Sequence, residues 1–222
     1  MKKLITIAYL FVAFVGFGQR DNEFQIRAGV GLAGYATENT FTYTWGTFSY
    51  SETKNDGAAT FHYPIELRYE LVERLNVGLD MKFGSYIYDP EEDNTGKSNR
   101  FTTVGIAAEF TALNRQNSRI YFGLGINSTG LNLKEVIVSA NDQITSEGKW
   151  RGGGIKINTG FIKYFGDSPI GINLNLGYDM HNFNLKELSV RSQNSSISFD
   201  NYSGTLKVSG FDMAAGLVFR LR

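Results

Sequence analysis

The chain of 222 residues contains no cysteine, only 3 prolines and only 2 histidines. Without cysteine there is no disulfide, no thiol nucleophile, no thiolate metal site and no residue for lipid attachment behind an export signal. His62 and His181 lie far apart in the sequence, which leaves no ligand cluster for a transition metal. Net charge is missing too: 22 Lys and Arg balance 22 Asp and Glu, so no electrostatic case for nucleic acid arises. After the N-terminus no apolar run reaches the roughly 20 residues of a transmembrane helix. No long segment carries a helical period.

What is present begins at the N-terminus. MKKLITIAYLFVAFVGFGQ sets Lys2 and Lys3 before an apolar run from Leu4 to Val15, then Gly16 and Gly18. This order predicts a cleaved secretory signal over residues 1–18 and a mature chain over 19–222.

The mature part alternates apolar and polar residues in eight segments. They are Phe24–Gly34, Ile65–Leu71, Leu75–Gly84, Val104–Phe110, Ile120–Asn127, Ile155–Phe161, Ile170–Met180 and Phe211–Arg222. Such alternation predicts strands with two unlike faces. Connections near Val72–Arg74, Leu113–Arg119 and Gly166–Pro169 are short, and those between are long. One face collects large apolar residues, as with Ile120, Phe122, Leu124 and Ile126. The other collects glycine, asparagine and charge, as with Asn173, Asn175, Gly177 and Asp179. Glycine is costly on a solvated sheet face but fits a narrow interior. The predicted fold is therefore an all-β, eight-stranded antiparallel up-and-down transmembrane β-barrel. Its apolar face meets lipid, its turns are short on the periplasmic side, and its loops are long outside. The third and fourth loops are expected to form hairpins beyond the bilayer.

The signal, the eight alternating segments and the terminal GLVFRLR together resemble the small porin-family, OmpA/OmpX-like outer membrane barrels of Gram-negative bacteria. The resemblance spans the mature chain. It implies an outer membrane location, contact with membrane lipid and lipopolysaccharide, insertion by the barrel assembly machinery, and a monomer. Such barrels commonly end on an aromatic residue; here Phe219 stands three residues before the terminal Arg222.

The predicted lumen carries Arg27, Arg68, Lys82, Lys156 and Arg220 against Glu66, Glu70, Asp80, Glu109, Asp179 and Asp212. Charges inside so narrow a barrel must pair. The expectation is a salt-bridged lumen, with a narrow solute channel as the alternative. Arg27, Glu66, Arg68, Glu70, Glu109 and Arg220 are expected toward the periplasmic end and Lys156, Asp179 and Asp212 toward the outside. Among barrels of this size some are lipid A-modifying enzymes, for which the resemblance implies a serine two positions from a histidine. His181 is followed by Asn182 and Phe183, so that match fails and no enzyme and no cofactor are expected. The run Asp89, Glu91, Glu92 and Asp93 reads as a solvated loop. FTYTWGTFSY in the first loop sets Phe41, Tyr43 and Trp45 on one side of an extended chain, followed by Phe48 and Tyr50. It reads either as an aromatic belt at the bilayer interface or as a contact surface for an extracellular ligand.

Overall fold

The computed structural model describes residues 23–45, 47–88, 99–139, 142–192 and 201–221. The signal segment, the acidic run of the second loop and Arg222 lie outside the described residues. Eight strands run in chain order: β1 (Phe24–Trp45), β2 (Phe48–Val72), β3 (Leu75–Tyr88), β4 (Asn99–Arg115), β5 (Ser118–Ser139), β6 (Asp142–Tyr164), β7 (Ile170–Ser192) and β8 (Asn201–Leu221). Each pairs antiparallel with its sequence neighbours, and β8 closes on β1 from Phe24↔Leu221 to Thr44↔Asn201.

The barrel is all-β and closed, with tight turns at one end. The turn at Glu73 and Arg74 needs a left-handed residue, and Arg74 supplies it at φ 70°. Most strands extend well past the segments in which alternation is conspicuous, and the longest extensions lie at the other end, while β4 also continues over 111–115 at the turn end. At the end opposite the turns β1–β2 and β5–β6 are long hairpins, paired out to Trp45↔Phe48 and Ser139↔Asp142.

The fourth connection departs from its expected hairpin. β7 and β8 stay paired only as far as Asn184↔Thr205. Beyond that point β7 remains with β6 up to Ile144↔Ser192, and β8 remains with β1 up to Asn201. On the other side β2 keeps β3 only to Ala58↔Tyr88. Among the described residues the hairpin end therefore continues as two flaps, β8–β1–β2 and β5–β6–β7, joined where the Leu188 backbone N–H donates to the Tyr202 hydroxyl at 3.1 Å.

The exterior explains why the barrel is closed. Val30, Leu32, Phe61, Ile106, Phe122, Leu124, Ile126, Ile157, Leu176, Phe211 and Met213 are all exposed, each from 40% to 68%. On β8 this apolar face runs from Leu221 to Phe211. Ten residues of strand cover about 33 Å, or about 25 Å of height at the usual tilt of about 40°. A continuous apolar band of that height belongs in lipid, where a sheet without edges leaves no backbone polar group unpaired. The chain spans a membrane through its strands.

Candidate functional site: a lumen in two layers beneath an aromatic mouth

Inward positions of all eight strands converge on the barrel axis. From the turn end to mid-barrel they carry two clusters of paired charges. Gln25 donates to Glu23 at 2.7 Å and accepts from Arg27 at 2.8 Å. Arg27 also donates to Glu109 at 2.9 Å and to Glu66 at 3.3 Å. Arg68 meets Glu109 at 2.7 Å and Asp80 at 2.6 Å. Lys156 reaches Glu66 at 3.3 Å. One step further along the axis Lys82 lies between Asp179 at 2.8 Å and Asp212 at 2.7 Å. Tyr35 donates to Asp179, and His62 Nε2 lies 3.3 Å from Asp212.

The acids Glu23, Glu66, Asp80, Glu109, Asp179 and Asp212 equal in number the bases Arg27, Arg68, Lys82, Arg119, Lys156 and Arg220. Formal neutrality matters because an uncompensated charge here has little water to solvate it. A small void in this layer, about 20 Å³ beside Glu66, Asp80, Lys82 and Lys156, has room for about one water.

Two of the predicted network residues take other roles. Glu70 sits half-buried at the rim, where the Arg74 backbone N–H donates to its side chain at 3.4 Å. Arg220 lies over the Tyr164 ring at 4.2 Å rather than against an acid. The expected separation by depth also fails for Lys156, which bonds Glu66. Tilted strands bring residues of different nominal depth to one level. Glu23 and Arg119, an ion pair at the turn end, fall outside the predicted strands and were missed.

Small residues on the inner wall make the network possible. A Cβ at Gly31 would stand 2.2 Å from His62 Nε2, and one at Gly160 would stand 2.2 Å from the Tyr121 ring. The Tyr121 ring in turn carries the Arg27 guanidinium at 4.5 Å.

Toward the hairpin end the lumen changes character. Ala33, Tyr35, Ala58, Tyr86, Phe101, Leu131, Trp150, Phe183, Leu206 and Val208 form one buried apolar cluster. Tyr35 stacks on Tyr86 at 5.9 Å, and Phe101 meets Tyr86 edge-on at 5.2 Å. His181 stacks on Phe183 at 5.6 Å and joins this cluster to the polar layer below. The expectation of a polar lumen throughout is corrected here: it holds for most of the lower layer, where Tyr121, Ile162, Tyr164 and Val218 add a small buried apolar cluster near the turn end.

The reason lies in the solvent outside. On β1, β3, β4 and β7 the first inward ring of the cluster stands three residues beyond the last large lipid-facing one, as with Leu32 and Tyr35 or Met180 and Phe183. On β8 Val208 likewise stands three residues from Phe211, and on β5 and β6 the first inward cluster residue stands at an interval of five, as with Ile126 and Leu131 or Ile155 and Trp150. An odd interval moves the apolar residues to the opposite face. Where the exterior passes from lipid to water, the strands revert to the soluble pattern, apolar inside and polar outside. This parity switch is written in SGTLKVSGFDM, where Leu206 and Val208 fall out of phase with Phe211 and Met213.

Above the cluster stands the β8–β1–β2 flap. Tyr43 pairs with Tyr50 and with Tyr202 in the two ladders, and the Tyr43 and Tyr50 rings lie 5.3 Å apart. Phe41 meets Tyr43 at 6.3 Å. Register puts Phe41, Tyr43, Phe48, Tyr50 and Tyr202 on the face turned toward the barrel axis, yet Phe48 is 81% exposed and Tyr50 51%. The backbone of Trp45 pairs with Phe48, and its side chain lies outside what the structure describes. These rings are not an interfacial belt. Phe41 follows Leu32 by nine residues, about 30 Å further along the strand than the lipid band.

A closed eight-stranded antiparallel ring with short turns at one end and a lipid-facing band defines the class: the fold is that of the eight-stranded outer membrane β-barrels of Gram-negative bacteria. The structure is similar to that of the outer membrane protein OprG from Pseudomonas aeruginosa, with a TM-score of 0.54 over 92% of this chain and 98% of that one, at 12% identity. Neisserial surface protein A (TM-score 0.39, 12% identity, 83% and 97% covered) and the N-terminal β-barrel domain of Pseudomonas aeruginosa OprF (0.38, 13%, 86% and 97%) align more loosely. No family model and no curated protein sequence matches the chain.

Proposed function

We propose that the protein is an integral outer membrane barrel, inserted as a monomer, whose lumen is a closed core and whose working surface is its extracellular mouth. The hairpin end then faces outward. The observation that carries this reading is the contrast along one axis: two filled layers, then a mouth in which Phe48 and Tyr50 are largely exposed. The lower layer is neutral and hydrogen-bonded, and the upper one is packed with aromatic and aliphatic side chains, so neither favours passage of a hydrated solute. Phe41, Tyr43, Phe48 and Tyr50 supply the rigid aromatic area on which sugars or a partner's apolar face can rest.

The test has two parts. In planar bilayers the wild-type protein is expected to show no stable conductance, and a steady large conductance overturns the closed lumen. Tyr43→Ser with Tyr50→Ser is expected to leave folding intact and abolish adhesion of expressing cells to surface glycans or host cells. Unchanged adhesion removes the mouth from the account.

A further inference from the structure

Two outer walls of the barrel differ in charge just beyond the lipid band. On the β8–β1–β2 side Lys207 and Glu38 pair with each other at 2.7 Å and cancel. On the β4–β5–β6 side Arg100, Lys134, Lys149 and Arg151 are all exposed on the outward parity. Only Lys149 has an acid partner among the described residues, Glu187. Ladder rows place them together: Arg100↔Asn132↔Lys149 share one row, Arg151 lies on the next, and Lys134 is level with Glu147. Arg100 and Lys149 are two strands apart, about 10 Å.

Directly below come mostly small residues. Gly130 stands beside Arg151, and Ser128 and Gly153 occupy the following row, with Val104 at its β4 edge. A Cβ at Gly130 would meet nothing within 4 Å. One row further the wall becomes apolar with Ile106, Ile126 and Ile155, exposed by 57%, 58% and 45%. Surplus cations, an open shelf of small residues and an apolar wall follow one another in the order of a lipid's phosphate, head and acyl chains.

We propose that this wall binds a phosphorylated membrane lipid of the outer leaflet, with its phosphates on Arg100, Lys149 and Arg151, its head over Gly130, Ser128 and Gly153, and its chains along Ile106, Ile126 and Ile155. The inference rests on the outward orientation of the hairpin end proposed above. Basic side chains at a membrane surface attract anionic lipid heads, and the attraction weakens with salt.

The experiment is a native mass-spectrometric titration of the full chain, purified from membranes into detergent, with diphosphorylated lipid A and with the same lipid stripped of phosphate. The variants are Arg100→Gln with Lys149→Gln and Arg151→Gln and, on the opposite wall, Glu38→Gln with Lys207→Gln. The diphosphorylated lipid is expected to bind the wild type at least about tenfold more tightly than the stripped one. The triple variant is expected to lose that advantage and the opposite-wall variant to keep it. Equal binding of both lipids, or full retention by the triple variant, overturns the site. Folding of each variant is read separately from the shift of its electrophoretic band on heating, and orientation from protease access to the flaps on intact cells. Failure there strikes the barrel reading rather than the lipid site.

Discussion

The lower and upper halves of the lumen are built by the same eight strands and the same inward parity, yet their chemistry is opposite. Around Arg27 and Glu109 the interior holds paired charges and small residues; around Phe183 and Leu206 it is a conventional apolar core. The difference teaches that what a strand places inside is dictated by what lies outside it. Lipid claims the large apolar residues of the lower half, so the lumen there must be closed with polar groups that satisfy one another. Water surrounds the upper half, and burial of Phe and Leu again contributes about 1.5–3 kcal/mol each. The lower layer depends on geometry and the upper one on volume, so the two should fail differently.

The largest effect is expected at Glu109, which is fully buried and serves both Arg27 and Arg68. Glu109→Ala leaves two guanidinium groups short of their acid and should cost about 3–5 kcal/mol. Urea unfolding in phospholipid vesicles, followed by tryptophan fluorescence, measures it. The comparison sharpens if Arg27→Met is added: the double variant should be closer to wild type than the sum of the single losses, because the unpaired charge is removed.

Phe183→Ala should cost about 3 kcal/mol by cavity formation, with no such rescue from a charge change elsewhere. The same unfolding assay distinguishes the two layers by that absence. Gly160→Val, which drives a side chain into Tyr121, should cost about 1–3 kcal/mol through overpacking. The smallest effect is expected outside the lumen. Glu38→Gln breaks an ion pair of which both members are exposed, and the unfolding midpoint should not move measurably.

Much of the barrel was legible as sequence. Each segment such as Ile120–Asn127 states its own two faces, because alternation is a property of a single strand, and burial along the strands follows it. Strand ends were not legible. The long flaps carry Thr, Ser, Asn and Gly in place of large apolar residues on their outward faces, so the conspicuous alternation stops about where the lipid does. The aromatic core of the upper lumen was hidden for a related reason. Phe101, Leu131 and Leu206 stand on the parity that is polar lower down, and assigning each strand one apolar face leaves them out.

Sequence alone determined the alternation, the closed eight-stranded ring it requires in lipid, and the balance of charge. These follow from local periodicity and from the need of every backbone group for a partner. Only the tertiary structure decided which charges meet. It gave Lys156 to Glu66, placed Arg220 on Tyr164, left Glu70 at the rim, and parted β7 from β8 above Asn184. Contacts across a lumen depend on strand tilt and stagger around the whole ring, quantities that no single strand contains.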